Sequence, residues 1–484
     1  MSSHIVSVIH DPCLVYPEAG EYYSPDQAFP DYRFGHVAER PNPVYAAVRQ
    51  CLADARLDEE NFGKGTWNPF RKYVKPGQNV FLLCNFVKQN IAANPQLLDA
   101  KCTHASVIRP LIDYVLLALA GTGSVSFGNA PLQSADWTRV TQETGAQHLS
   151  DFYTRFLKTD VSVHLVDLRQ HIVRRNPLGG VEPLCHRDET EACIPVDLGP
   201  DSLLDELYLQ DRSPKFRVLD YDYRRTERCH GRAKHVFLMS RHILQSDAII
   251  NVPKLKTHEK VGFTCGIKGC VGAVGHKDSL AHHRYGPPHS GGDEYPDHLS
   301  FLRPLSYLHD TTYSRPPSRG QKALHLLNYW SRVAVRRFTR SLSGSWPGND
   351  TCWRMAVDLA RILEYAGPDG NLKSQKQRSH IMLTDGIVSG EGDGPLSPVP
   401  VHLGYLNFSD NVVAGDYVNC LAMGFSPEEL PIIREAFHLD KYRLAEITPS
   451  DIEVRLNGQT VATSALSSAI GKRFVPPREW RGHV

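Results

Sequence analysis

The chain has 484 residues, about three ordinary domains' worth, and its 41% apolar and 22% charged residues exclude a disordered, collagen-like or coiled-coil protein. Lys plus Arg number 54 against 53 Asp plus Glu, a net charge of +1 that supplies no overall field for nucleic acid. The eleven cysteines form no C-x-x-C pair, which argues against a disulfide framework or a bacterial-type iron–sulfur run and favours a reducing, cytoplasmic setting.

The opening Met1-Ser-Ser-His-Ile-Val-Ser-Val-Ile-His10 lacks the basic and unbroken apolar stretches of a signal peptide. Residues 1–74 read as an N-terminal extension with one helix, Asn42 to Leu57, spaced through Val44, Val48, Cys51 and Leu52. A first α/β half, 75–170, follows. The turn at Lys75-Pro-Gly feeds a buried strand ending near Asn85, then come helix Ser106 to Ala120, strand Ser124 to Asn129, helix Asp136 to Gly145 and strand Val161 to Leu168. Strand and helix in alternation predict βαβ crossovers. The stretch Val107 to Leu119, broken by Arg109 and Asp113, is too short to span a membrane.

Residues 171–232 are irregular and read as an insertion. The rhythm resumes in a second α/β half, 233–272 and 345–445, with strands His235 to Met239, Ala248 to Val252 and His380 to Thr384. Residues 273–344 interrupt it as a long Gly/Pro/His-rich lid, and 446–484 form a tail. The expected fold class is therefore α/β, a mainly parallel sheet with flanking helices, built as two Rossmann-like halves with an inserted lid.

The chemistry concentrates in Asp247-Ala-Ile-Ile-Asn-Val-Pro-Lys-Leu-Lys-Thr-His258 and the Gly-rich stretch to Gly272. A strand stopped by Pro253 would release Lys254, Lys256 and His258 at the carboxyl edge of the sheet, alternate side chains converging on one spot. Backbone N–H groups after Thr264, with Lys268 one turn on, make an anion cradle, although no Walker A spacing is present. In the lid, His282, His283, Asp293 and Glu294 are a chemically sufficient set for a divalent metal, or for acid–base work. Asp385 and Glu391 end a later strand as carboxylate partners to the lysines, and Asp416 either joins them or caps a helix. Asn85, Lys277, Arg284, Asn349 and Arg354 complete the expected substrate contacts. Lys322 to Arg340 has the pattern of a basic amphipathic helix, Arg332, Arg336, Arg337 and Arg340 opposite Leu327, Trp330, Ala334 and Phe338. Such a helix ordinarily packs its apolar stripe on its own protein; contact with a membrane or a polyanion is the alternative.

The run Asp247 to His258, with Gly262, Thr264, Lys268, Gly272, Lys277-Asp-Ser-Leu-Ala-His-His-Arg284 and Gly291-Gly-Asp-Glu294, resembles the family called domain of unknown function 362. The resemblance runs from about Asn42 to Phe437 and takes in Asn85, Thr103-His104, Ala130-Pro131, Asn349-Asp350, Trp353-Arg354, Asp385-Gly386 and Gly394-Pro395. Members commonly have Asn where this chain has Gly269, and Asp where it has Asn129. Some carry ferredoxin-type cysteine motifs, which this sequence lacks. The Lys-x-His and Gly-rich pattern is also faintly similar to the amino-terminal part of nickel-dependent lactate racemases. These readings together give an enzyme acting on an anionic small molecule, a sugar acid or a biosynthetic intermediate, by Lys/His acid–base chemistry with or without a divalent metal. Epimerase, lyase and hydrolase remain open. A metal-dependent redox enzyme and a non-catalytic binding protein for an acidic or phosphorylated ligand are the alternatives.

Overall fold

The computed structural model describes residues 4–18, 20–90, 95–157, 160–175, 181–218, 221–313 and 319–484. Among them an eleven-stranded sheet forms the centre: β1 (His4–His10), β2 (Asn79–Cys84), β3 (Ser124–Asn129), β4 (Ser162–Asp167), β5 (Ala248–Val252), β6 (Lys254–His258), β7 (Gly262–Thr264), β8 (Ser379–Glu391), β9 (Val399–Ser409), β10 (Ile452–Leu456) and β11 (Gln459–Val461). Its order is β11-β10-β1-β9-β8-β5-β2-β3-β4, and the run from β8 to β4 is parallel throughout. The protein is thus α/β with a mostly parallel sheet. Residues 75–170 supply β2, β3 and β4 and residues 248–409 supply β5 to β9, and these two groups of strands join where β2 pairs with β5. Both chain ends also join it, β1 lying antiparallel to β9 and parallel to β10.

A parallel sheet is covered on both faces, so its central strands β2 and β5 are apolar at most positions, and alternate residues serve two different cores. Val80, Leu82 and Cys84 of β2, with Ala248, Ile250 and Val252 of β5, pack under α1 (Pro43–Asp54), α2 (Ala105–Leu119) and α3 (Ala146–Phe156). Phe81, Leu83 and Ile249 face the other way, against α4 (Gly266–Gly269), α5 (Cys352–Tyr365) and α6 (Val412–Ala422). Asn251 shares that second face, and its side-chain amide donates to Gly266 O at 2.9 Å. The helices start on capping residues: Asn42, His104 and Asn411 each accept a first-turn N–H of α1, α2 and α6.

Two strands differ from the expected rhythm. Residues Lys234–Ser240 belong to a separate three-stranded antiparallel sheet with Cys193–Asp197 and His230–Gly231. A short apolar run does not reveal its partner, and here the partner is the insertion rather than the central sheet. The strand expected at His380 to Thr384 extends to Glu391, because its first half pairs with β5 and its second half with β6. No helix among the described residues is long and apolar enough to cross a membrane.

Candidate functional site

Pro253 has no N–H and ends the β5 ladder, as its chemistry requires. The chain does not then leave the sheet, as expected from the sequence; it resumes as β6, with Lys254 opposite Asp385 and Lys256 opposite Gly390 of β8. β6 and β7 form a hairpin whose register sets Lys256 against Thr264. The turn places Gly262 at φ +84°, where a side chain would also collide with Leu430. The lysines are therefore buried inside the molecule instead of standing at an open sheet edge.

Lys254 and Asp385 form a fully buried pair at 3.0 Å. Tyr16 closes it, donating its hydroxyl to Asp385 Oδ1 at 2.6 Å while accepting from Lys254 Nζ. The His104 backbone N–H gives Asp385 Oδ2 a further bond at 3.0 Å, and the His104 ring stacks on Tyr16 at 4.1 Å. Burial holds the His104 imidazole down at about 4. Asp99 nearby is pushed up to about 6 by burial, with Lys254 opposing.

Beyond this neutralised pair lies a buried group that is almost wholly cationic or basic. Lys256, Lys260, Lys268 and Lys277 are all buried, and none has a carboxylate within 4.0 Å among the described residues. Lys256 donates to Asn85 Oδ1 and Lys101 O, Lys260 to Ser343 O, and Lys277 to Val271 O. Lys268, 6% exposed, has no hydrogen-bond or ion-pair partner among the described residues. His258 and His282 sit among these ammonium groups. The imidazoles are held well below their usual range first by burial, then by the charges of Lys268 and Lys260. Burial also drives Lys256 and Lys277 down to about 7, Lys256 further depressed by Lys254 and Lys277 by Lys268. Lys260 and Lys268 are lowered by the same desolvation. The Nδ1 atoms of His282 and His283 and the Thr264 hydroxyl are buried without a partner among the described residues. Isolated buried ammonium groups are costly, so such a cluster either sheds protons or takes an anion.

Several expected members sit elsewhere. The N–H groups of Gly266 and Ile267, the expected cradle, already donate to Asp416 at 2.7 and 2.8 Å. Asp416 caps α4, and its carboxyl is raised to about 6 by burial against those bonds. The metal set does not assemble. Asp293 accepts from the Arg284 backbone and side chain, Thr351 and Asp350 N, while Glu294 accepts from Gly286 N and Ser306. No group of three or more His, Cys, Asp or Glu placed for a metal occurs among the described residues. Asp293 instead fastens the 276–294 segment to the start of α5, and Glu294 ties it to the helix Arg303–Tyr313 through Ser306. Arg284 is thereby engaged by Asp293. Asn349 donates to His282 O and Gly344 O and accepts from Thr351 N and Cys352 N, so it positions the His282 segment. Glu391 bonds Lys472 and Val475 N in the tail. Arg354 pairs with Asp350 and Glu206 at the wall of a separate 410 Å³ cavity.

Two members were missed. Lys260 continues the alternate spacing of Lys254, Lys256 and His258, a signal present in the sequence. Tyr16 carries no such signal, since it reaches Asp385 only through tertiary folding. Gly272 approaches Asn129 so closely that a Cβ would lie 2.2 Å from its amide nitrogen, which links the glycine to the Asn129 position.

No curated protein matches this chain. Among solved structures it is similar to the crystal structure of a protein from Thermotoga maritima, at 11% identity and a TM-score of 0.31, over 74% of this chain and 53% of that one. The chain thus spans about half the length of that protein. Residues 209–420, which contain the β6 lysines, Lys268, Lys277, His282 and His283, match the model of the family described as "Domain of unknown function (DUF362)". Over that span the chain carries a DUF362 domain.

Proposed function

We propose that the protein is an enzyme acting on an anionic small molecule by Lys/His acid–base chemistry, with the sugar acids as the substrate class. One observation carries the reading: four buried lysines without carboxylate partners, one of them with no partner of any kind among the described residues, gather around His258 and His282. A phosphate or carboxylate group would supply the missing counter-charge. Lys256 and Lys277, poised near 7, are matched to proton transfer at neutral pH, and a lysine lowered by burial is a suitable general base. Lys268 and Lys260 would bind the anion, and the lid histidines would lie against it. The tied carboxylates of Asp293 and Glu294 favour the metal-free version. The cysteines, nine of the eleven buried, suit a reducing cytoplasm.

The test has two parts. Sulfate binding by calorimetry probes the anion site, and deuterium exchange from D2O into gluconate and glucuronate, followed by NMR, probes proton transfer. Exchange that disappears in Lys256→Met and Lys277→Met variants supports the enzyme. Sulfate binding without exchange into either acid overturns it in favour of a binding protein, and no sulfate binding overturns the anion site itself.

A further inference from the structure

The helical hairpin Arg303–Tyr313 and Arg319–Val335 is built inside out relative to its sequence pattern. At 100° per residue Leu327, Trp330 and Ala334 form one stripe, followed by Phe338 in the turn beyond the helix end, with Asn328 and Arg332 on the opposite side. The polar side is the one that packs inward. Asn328 bonds His309, and Arg332 bonds the Ser343 hydroxyl at 2.5 Å, both residues being buried. The apolar stripe faces outward: Phe338 is 88% exposed, Trp330 59% and Leu327 57%. Phe301 and Tyr307, on or beside the first helix, are 73% and 69% exposed. A small core of Tyr295, Leu302 and Leu342, joined by Leu305 and Val335, anchors the hairpin from within. The outer stripe is therefore not a face awaiting that core.

Charge identifies the occupant. From Arg303 to Arg340 the sequence has eight Lys/Arg and a single acidic residue, Asp310, which is engaged by Arg217. Arg303, Arg336 and Arg337 are exposed, the latter two directly before Phe338. Such density stands out in a chain of net charge +1. A second copy docked through the same patch would set this positive surface against itself. Exposed Trp, Tyr and Phe flanked by Arg instead match the interface of an anionic bilayer, where rings settle at headgroup level and guanidinium groups meet phosphate.

We propose that this hairpin docks the protein peripherally on an anionic lipid surface, with Trp330 and Phe338 inserted and Arg336 and Arg337 on the headgroups. The inference does not depend on the function proposed above.

Co-sedimentation of the full chain with vesicles tests it. The protein binds phosphatidylcholine vesicles containing phosphatidylglycerol and not vesicles of phosphatidylcholine alone, and added salt weakens binding. Arg336→Gln with Arg337→Gln lowers the affinity roughly 30-fold. Trp330→Ala with Phe338→Ala lowers it about tenfold or more, with an unchanged thermal midpoint showing that the fold survives. Absence of binding to the acidic vesicles overturns the proposal, as does binding unaffected by both double variants. A wild type that sediments as a dimer, reverting to monomer in the Trp330/Phe338 variant, overturns it in favour of a second copy.

Discussion

If the buried lysines await an anion, binding must be coupled to proton uptake, and the structure sets the size of that coupling. Lys256 and Lys277 stand at about 7 without ligand, so at pH 9 each is almost wholly neutral. An anion favours their charged forms, and each bound proton must be recovered at about 1.4 kcal/mol per pH unit above 7. Because each is still half charged at pH 7, the loss between pH 7 and pH 9 is about 2.3 kcal/mol, or roughly 50-fold in affinity, for each lysine that must recharge, and roughly 2,500-fold for both. Sulfate is the appropriate probe because its own charge does not change over this range. Calorimetry at pH 8.5 in two buffers of different ionisation enthalpy reads the number of protons taken up directly, with one to two expected. Affinity that stays constant from pH 7 to pH 9, with no dependence on buffer, would refute the reasoning.

The same shifts act on stability with the opposite sense. The folded values of Lys256 and Lys277 lie below the ordinary lysine range, so the unfolded chain binds more protons between about 7 and 10.4. Each lysine's contribution is present above that window and lost as pH falls through it. The thermal midpoint of sulfate-free protein should therefore drop from pH 9 to pH 7, and a flat or inverted profile there would contradict the assignment. Lys268→Met removes a buried ammonium that has no partner among the described residues. We expect it to raise stability in denaturant titrations by about 1–4 kcal/mol while lowering sulfate affinity at least tenfold. A variant that binds sulfate normally would remove Lys268 from the site. Asp385→Asn strands Lys254 in the interior and should cost about 3–5 kcal/mol. Adding Lys254→Met should recover much of that loss, and additive losses would show that the pair is not coupled.

How much of this was legible beforehand differs between the fold and the site. Alternating apolar runs and Gly/Pro turns are local signals, and they placed β2, β3, β4, β5, α1 and α2 within a residue or a few of where they lie. Lys234–Ser240 was equally legible as a strand, yet its sheet was not, since hydrogen bonding to Cys193–Asp197 is a choice between distant partners. The cation cluster was mostly visible because i, i+2 spacing survives folding, and Lys254 does meet Asp385. Its depth was not visible: only the pairing of β6 with β8 takes the lysines into the interior. That burial, not the residue types, makes two of them titrate near 7.

Roles shared by one residue type were settled by tertiary neighbours. Asp416, Asp293, Glu294 and Glu391 are all acidic, but each spends its oxygens on a backbone N–H or a nearby cation that the sequence does not place. The helix at 319–335 gives the plainest contrast. Its periodicity fixed an apolar stripe opposite Asn328 and Arg332; which of these sides faces outward depended on what stood opposite. There His309 and Ser343 offered polar partners for Asn328 and Arg332, leaving Trp330 and Phe338 to the surroundings. Local patterns determine what an element is, because they arise from bonds and side chains a few residues apart. What the element does is decided by long-range packing, which sets dielectric, counter-charge and exposure.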